Sequence, residues 1–100
     1  MIERITENEK RLDSILLSIK KLEDALNIFQ DNRKNIYLIS KYYGSKNWFK
    51  DKDAFEKNLI PKIKAGVLGE DTIWNTLSDI QDLMRKMQDI INDYNKKRNN

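Results

Sequence analysis

The 100-residue sequence contains no cysteine and no histidine. Without cysteine, neither a disulfide framework nor a thiolate metal site can form. Because histidine is absent too, ordinary zinc sites, Ser-His-Asp and Cys-His nucleophile systems, and histidine acid-base catalysis are excluded. An enzyme of this composition would depend on carboxylate, lysine or tyrosine side chains alone. No catalytic motif built from them is present, so we expect that the protein is not an enzyme and needs no cofactor.

Long apolar runs are also absent. The longest aliphatic run is Ile15-Leu16-Leu17, whereas a membrane-spanning helix needs about 20 apolar residues. The start of the chain, residues 1–4, is charged and lacks the apolar centre of a signal peptide. With 39% hydrophobic and 35% charged residues, the composition favours a helical protein over a disordered one. We therefore expect a cytoplasmic protein that does not enter a membrane.

Glycine and proline are scarce and concentrated in one place. All three glycines and the only proline lie in residues 44–70, which we call the connecting block. Tyr42 and Tyr43 precede this block, and Trp48 lies within it. Because glycine and proline commonly end or interrupt helices, this composition predicts turns between two more regular segments.

The segment before the block has a heptad pattern. Its apolar residues recur at alternating spacings of three and four, which is typical of the buried face of a helix. The pattern predicts a long helix over 3–43 that ends at Gly44, and asparagines around Asp31 leave a break near that residue open. The residues that form the pattern are Ile5, Leu12, Ile15, Ile19, Leu22, Leu26, Phe29, Ile36 and Tyr43.

The segment after the block has a more regular pattern, which predicts a helix over 71–96 and a frayed tail over 97–100. Glu70 and Asp71 suit the start of this helix because the N-terminal end of the helix dipole favours negative charge. The apolar residues of the pattern are Ile73, Leu77, Ile80, Met84, Met87, Ile91 and Tyr94.

Inside the block, residues 52–60 predict about two helical turns that stop before Pro61. A second short turn is expected over 61–65, with Gly66 as its cap. The expected architecture is therefore an all-α single domain over 1–100. In it, two long helices pack antiparallel as a coiled-coil hairpin or small helical bundle.

The two predicted long helices differ in length, at roughly 60 Å and roughly 40 Å. In an antiparallel hairpin, the N-terminal part of the first helix would have no partner, and exposed apolar side chains favour association. We expect self-association through residues 1–26, as a homo-oligomer, or binding of a protein partner. The candidate contact residues are Ile5, Leu12, Ile15, Leu16 and Ile19.

The aromatic residues Tyr42, Tyr43 and Trp48 admit two interpretations. With the neighbouring lysines they resemble a stacking surface for bases, and with the two helices they resemble a packed joint. The charge does not favour nucleic acid, because segments 1–43, 44–71 and 72–100 each carry a net charge of +1. We expect a packed joint that is also the first place to look for a ligand contact.

The alternative function is contact with nucleic acid or nucleoprotein, including inhibition of a host defence nuclease by a phage or mobile-element protein. A metal site is not expected, because the spacing of the five acidic residues in and beside the block matches no calcium-binding loop. These residues are Asp51, Asp53, Glu56, Glu70 and Asp71.

Two strings, Tyr42-Tyr43-Gly44-Ser45 and Gly66-Val67-Leu68 followed by Glu70-Asp71, lie on either side of Trp48 and Pro61. With the long helices on both sides, the chain resembles a family of small bacterial proteins known only as a domain of unknown function. The resemblance implies a cytosolic helical protein and no established activity or ligand. Gly69 departs from the serine of that family, which implies a slightly weaker start of the last helix.

Overall fold

The computed structural model describes residues 1–99, and within that range the chain is all-helical, with no β-strand. Four α-helices and one 3-10 turn follow one another along the described chain. Their bounds are α1 Ile2–Asp31, α2 Arg33–Tyr42, α3 Lys46–Glu56, the 3-10 turn Gly66–Leu68 and α4 Thr72–Arg98. The all-α class predicted from the heptad spacing is confirmed.

The chain divides into two compact units, Met1–Tyr37 and a second that begins at Leu38. No residue of the first unit is buried. The second has a small buried core of Trp48, Leu68 and Ile73. The single domain expected over 1–100 and the antiparallel pairing of the long helices stay predictions.

The helical stretch predicted over 3–43 is interrupted at Asn32, so the expectation of one continuous helix is corrected there. The Asn32 backbone N–H donates to the Phe29 carbonyl at 3.0 Å. This bond spans three residues and so closes a tighter turn than the four-residue bond of an α-helix. Its side-chain amide donates to the Ile28 carbonyl at 3.0 Å. Asparagine side chains compete with the backbone for hydrogen bonds in this way, and the open question of a break near Asp31 is thereby answered.

The two long helices α1 and α4 have 30 and 27 residues, so the large length difference expected from the sequence is absent.

The reversal between α2 and α3 is built from two adjacent residues. Gly44 has a φ of +76°, the left-handed conformation that glycine adopts without strain, and it follows the end of α2 as predicted. Ser45 is the N-cap of α3, and its hydroxyl accepts a hydrogen bond from the Trp48 backbone N–H at 3.2 Å. As a result α3 begins at Lys46, six residues before the start of the helical turns predicted over 52–60.

The end of α3 also differs from the prediction. Asn58 has a φ of +56°, and the Leu59 N–H donates to the Ala54 carbonyl at 2.9 Å. This left-handed Schellman-type end stops the helix before Pro61 exerts any effect. The short turn predicted over 61–65 is absent, because those residues are irregular, and Gly66 begins the 3-10 turn instead of capping a helix.

The last helix, α4, begins one residue after the predicted start at 71 and extends to Arg98. The tail expected to fray over 97–100 is therefore helical at Lys97 and Arg98, and Asn100 lies outside the described residues. The N-cap of α4 is Asp71, which makes no side-chain capping hydrogen bond.

Gly69 lies in extended conformation, and a Cβ placed there would lie 3.0 Å from the Thr72 hydroxyl oxygen. Because Asp71 holds the N-cap position, a serine at position 69 would crowd the Thr72 hydroxyl without being the capping residue, so Gly69 does not weaken the start of α4 in the way expected. None of the helices in residues 1–99 has the length and apolar character needed to span a membrane.

Candidate functional site

Trp48 lies at the centre of the aromatic joint, which we define as Tyr42, Tyr43, Trp48 and the groups they contact. Trp48 is only 5% exposed. Its ring meets Tyr43 edge-on at 5.2 Å between centroids and Phe49 edge-on at 5.0 Å, the geometry that aromatic quadrupoles favour. The Ser45 cap and the Gly44 reversal together bring these rings to one place.

Two hydrogen bonds connect the joint to distant parts of the second unit. The Trp48 Nε1–H donates to the Val67 carbonyl at 2.9 Å, which ties α3 to the 3-10 turn. The Tyr43 hydroxyl donates to the Glu70 carbonyl at 3.2 Å, just before α4. The polar ends of both aromatic side chains are thus satisfied by backbone oxygens, as expected of a packed joint. The structure supports packing for these residues.

Lys52 completes the joint from the next turn of α3. Its ammonium group lies 3.1 Å from a Glu70 carboxylate oxygen and 5.1 Å from the centre of the Trp48 ring. The Lys52 side chain is only 19% exposed, whereas that of Glu70 is 80% exposed. Because the Glu70 carboxylate is open to water, this pair contributes little on its own. The cation–π contact with Trp48 adds to the covering of the ring.

Tyr42 donates a hydrogen bond to a charged acceptor, unlike Tyr43 and Trp48. Its hydroxyl donates to Asp51 Oδ2 at 2.7 Å. This hydrogen bond raises the pKa of the Tyr42 phenol above its ordinary value of 10.0, and desolvation and the negative charge of Asp51 act in the same direction. Tyr42 is therefore a neutral hydrogen-bond donor at physiological pH, and the bond links the end of α2 to α3.

The aromatic and acidic side chains of the joint are engaged in contacts with one another and with neighbouring groups. Trp48 cannot serve as a stacking surface for a base, because its ring is covered by Tyr43, Phe49 and Lys52. Asp53 is paired with Lys57 at 3.0 Å, in addition to the Asp51 and Glu70 contacts above. Within residues 1–99 no group of three or more acidic side chains is arranged to hold a metal ion.

The candidate contact residues on α1 have the opposite character. Their exposed fractions range from 47% to 56%, and no residue of α1 is buried. Leu22 and Leu26 continue the same face at 58% and 44%, and a shallow groove runs along this part of the helix from Ile19 to Gln30. We call the heptad positions of this face the α1 seam: Ile5, Asn8, Leu12, Ile15, Ile19, Leu22 and Leu26. Leu16 lies beside the seam.

The sequence predicts that Tyr43 and Trp48 form the joint, but it does not predict several of the residues that they contact. Ser45 as a helix cap was detectable, because a serine three residues before the first buried residue of a helix is a common N-cap signal. Lys52 and Asp51 had no signal of this kind. Each lies one turn or more from the aromatic residue it contacts, and many lysines and carboxylates in this chain have the same local spacing.

Comparison with known families agrees with the resemblance seen in the sequence. The family model described as Domain of unknown function (DUF4298) matches residues 5–97, and the chain belongs to that family. Neither the curated proteins nor the solved structures contain a match to this chain. The bacterial origin and the cytoplasmic location stay predictions.

Proposed function

We propose that this protein is a helical protein-interaction module that binds through the α1 seam. The observation that supports the proposal is the exposure of the seam: six large aliphatic side chains are 44% to 58% exposed on a helix that has no buried residue. Full burial of such a side chain stabilises by roughly 1.5–3 kcal/mol. A partner that covers the seam would gain a large part of this energy.

The second unit supports the same proposal, because its aromatic residues are already in contact with other residues. Its aromatic residues are occupied by internal contacts, since Trp48 is buried and the Tyr42 and Tyr43 hydroxyls have partners. The alternative of nucleic-acid contact through these rings is therefore less well supported. The joint is better suited to fix α3 and the start of α4, while α1 offers its apolar side chains to another molecule.

The test replaces two seam residues by aspartate, Leu12→Asp with Ile19→Asp. A charged side chain in a covered apolar interface is strongly unfavourable, so we expect the double variant to lose self-association and the binding of any defined protein partner. Analytical ultracentrifugation and affinity binding with purified partners measure the two losses.

The chain offers a matched control on the same helix. Leu17 and Ile28 are 56% and 65% exposed but lie off the seam, so the double variant Leu17→Asp with Ile28→Asp introduces the same charge elsewhere on α1. We expect it to keep the association of the original chain. The proposal fails if the seam variant keeps both its oligomeric state and its partners.

A further inference from the structure

Charged residues of α1 lie both on its outer face and beside the seam. The ion pairs within the helix, Glu7 with Lys10 at 3.5 Å and Lys20 with Asp24 at 3.0 Å, lie on the outer face, away from the seam. Arg4, Glu9 and Glu23 lie beside the seam, at the heptad positions that face a partner helix in a coiled coil. Within residues 1–99 these three make no ion pair. These three charges are therefore available to a partner helix, whereas other unpaired charges of α1, such as Asp13, lie off the seam.

We infer that the α1 seam binds the α1 seam of a second copy of this chain, with the two helices parallel and in register. The inference rests on the proposed function and names its partner. In a parallel, in-register pair, a residue just before one seam position faces the residue five places further along the other helix. Arg4 of each copy then faces Glu9 of the other, so two attractive contacts form in each dimer.

The opposite orientation places like charges together. If the helices ran antiparallel with Ile5 opposite Phe29, the next heptad residue after Leu26, Glu9 of one copy would face Glu23 of the other, twice in each dimer. Like charges at directly facing positions are unfavourable, and this kind of repulsion selects orientation in coiled coils. The charge pattern beside the seam therefore discriminates between the two arrangements.

Asn8, the only polar member of the seam, supports the same choice. In the parallel pair it meets Asn8 of the second copy, and in the antiparallel pair it meets Leu26. Its side-chain oxygen accepts a hydrogen bond from Arg11 at 3.1 Å and keeps a second lone pair, so each Asn8 can donate an amide N–H to the oxygen of the other. A buried amide opposite leucine would lose those partners, whereas two facing asparagines satisfy each other and fix the register.

Covering the seam would also stabilise α1 itself. The helix has 30 residues and no buried side chain, and an isolated helix gains most of its stability from packing of its apolar face. A second α1 supplies a complementary apolar face of the same length. Leu16 packs beside the seam against the aliphatic stem of Arg11 from the other copy, since long basic side chains cover apolar surface in this way.

The test uses the absence of cysteine from the chain, because any introduced thiol is then the only one. Asn8→Cys and, separately, Leu22→Cys place a thiol in two distant layers of the seam. Facing seam positions in a parallel pair come within the Cα separation of about 4.4–6.8 Å that a disulfide requires. We expect each variant to form a disulfide-linked dimer under mild oxidation. Lys10→Cys, on the outer face, is the control and should crosslink much more slowly.

Charge reversal gives a second readout that does not depend on a thiol. Arg4→Glu replaces two attractions by two repulsions, and we expect the dimer dissociation constant from sedimentation to rise about tenfold at low salt. Adding Glu9→Arg to the same chain should restore most of the affinity. Recovery in the double variant would be specific to the Arg4–Glu9 contact, because a general loss of helix stability is not reversed by a second change.

Three outcomes overturn the inference. A monomer at tens of micromolar removes the second copy as the partner, while the proposed function stands if the Leu12→Asp with Ile19→Asp variant still loses a different protein. A disulfide between Asn8→Cys and Leu26→Cys chains, without the homodimeric disulfides, shows the antiparallel pair. A dimer that persists unchanged in the Leu12→Asp with Ile19→Asp variant places the dimer interface elsewhere, and it contradicts the proposed function as well if that variant also keeps its protein partners.

Discussion

The apolar residues of α1 and those of the aromatic joint are used in opposite ways. Along α1, the aliphatic side chains of the seam remain about half exposed and none is buried. Around the joint, Trp48, Leu68 and Ile73 are 5%, 8% and 1% exposed, and the polar groups of the aromatic residues have internal partners. The second unit thus makes its own small core, while the apolar face of the first remains exposed.

The two regions also differ in how far apart in sequence their contacting residues lie. The hydrogen bond from Trp48 to the Val67 carbonyl joins residues 19 apart in sequence, and that from Tyr43 to Glu70 joins residues 27 apart. In α1, the side-chain contacts join residues three or four apart. Contacts of the second kind stabilise a helix by only a few tenths of a kcal/mol each. The comparison therefore predicts large effects of substitution in the joint and small ones on the outer face of α1.

The largest effect is expected from Trp48→Ala. Removing a buried tryptophan leaves a cavity and loses the hydrogen bond to Val67, and such changes cost about 3–5 kcal/mol. We expect a much lower urea midpoint for the loss of the near-ultraviolet circular dichroism signal. Phe49→Ala is the control, since Phe49 is an aromatic neighbour that is 59% exposed, and its change should cost under about 1 kcal/mol. Equal losses of stability in the two variants would show that burial of Trp48 does not distinguish it from its exposed neighbour.

The next effect concerns the reversal that assembles the joint. Gly44 has a φ of +76°, and a Cβ placed on it would meet no atom within 4 Å. The cost of Gly44→Ala is therefore backbone strain alone, about 1–2 kcal/mol. Urea unfolding of the variant measures this cost. Gly66→Ala is the matched control, because a Cβ there also meets open space and its φ lies outside the left-handed range. It should be neutral or slightly stabilising, and a loss equal to that of Gly44→Ala would show that strain at Gly44 is not the cause.

The sequence predicts the ends and bounds of helices correctly where no second local signal conflicts with the first. Gly44 after the last heptad residue correctly predicts the end of α2, and the uninterrupted pattern from Ile73 to Tyr94 predicts α4. At Asn32, two local signals conflicted. The heptad register favoured continuity across it, whereas its side-chain amide favoured local hydrogen bonds, and the second effect prevailed.

Other features depend on contacts that no local pattern contains. Asn58 ends α3 in a left-handed conformation that is more often taken by glycine. The end of the helix was therefore predicted from Pro61, three residues later, instead of from Asn58. The acceptors of Trp48 and Tyr43 are backbone carbonyls of Val67 and Glu70. Every residue has such a carbonyl, and the pairing therefore depends on the tertiary approach of the segments. The aromatic residues of the joint were predictable, but their partners were not.

A smaller effect is expected from Tyr42→Phe, and it should depend on pH. The folded-state pKa of Tyr42 is raised above 10.0. The bond to Asp51 therefore contributes its full stability below about pH 10 and loses it as the pH rises through the raised folded-state value. We expect the variant to be less stable by about 0.5–1 kcal/mol near pH 7, because the pair is accessible to water.

Urea unfolding of both chains from about pH 7 to above pH 10 tests this dependence. The stability difference between them should stay constant at first and then shrink at the alkaline end. Every other residue is the same in both chains, so effects of pH on the rest of the protein cancel in the comparison. A difference that grows with rising pH would contradict the assigned hydrogen bond and its direction.

The smallest effect is expected on the outer face of α1, from Asp24→Asn. Its pair with Lys20 spans four residues, and both side chains are more than half exposed. The basic residue comes first in this pair, the less favourable order along a helix, so the loss should be at most about 0.3–0.5 kcal/mol and should vanish at high salt. Asp13→Asn is the control, since within residues 1–99 Asp13 makes no ion pair. Urea midpoints at low and high salt measure both changes. If Asp24→Asn instead cost more than about 1 kcal/mol, local pairs would account for the stability of α1. A small loss leaves the coverage of its seam as the main source of stability for a helix of 30 residues.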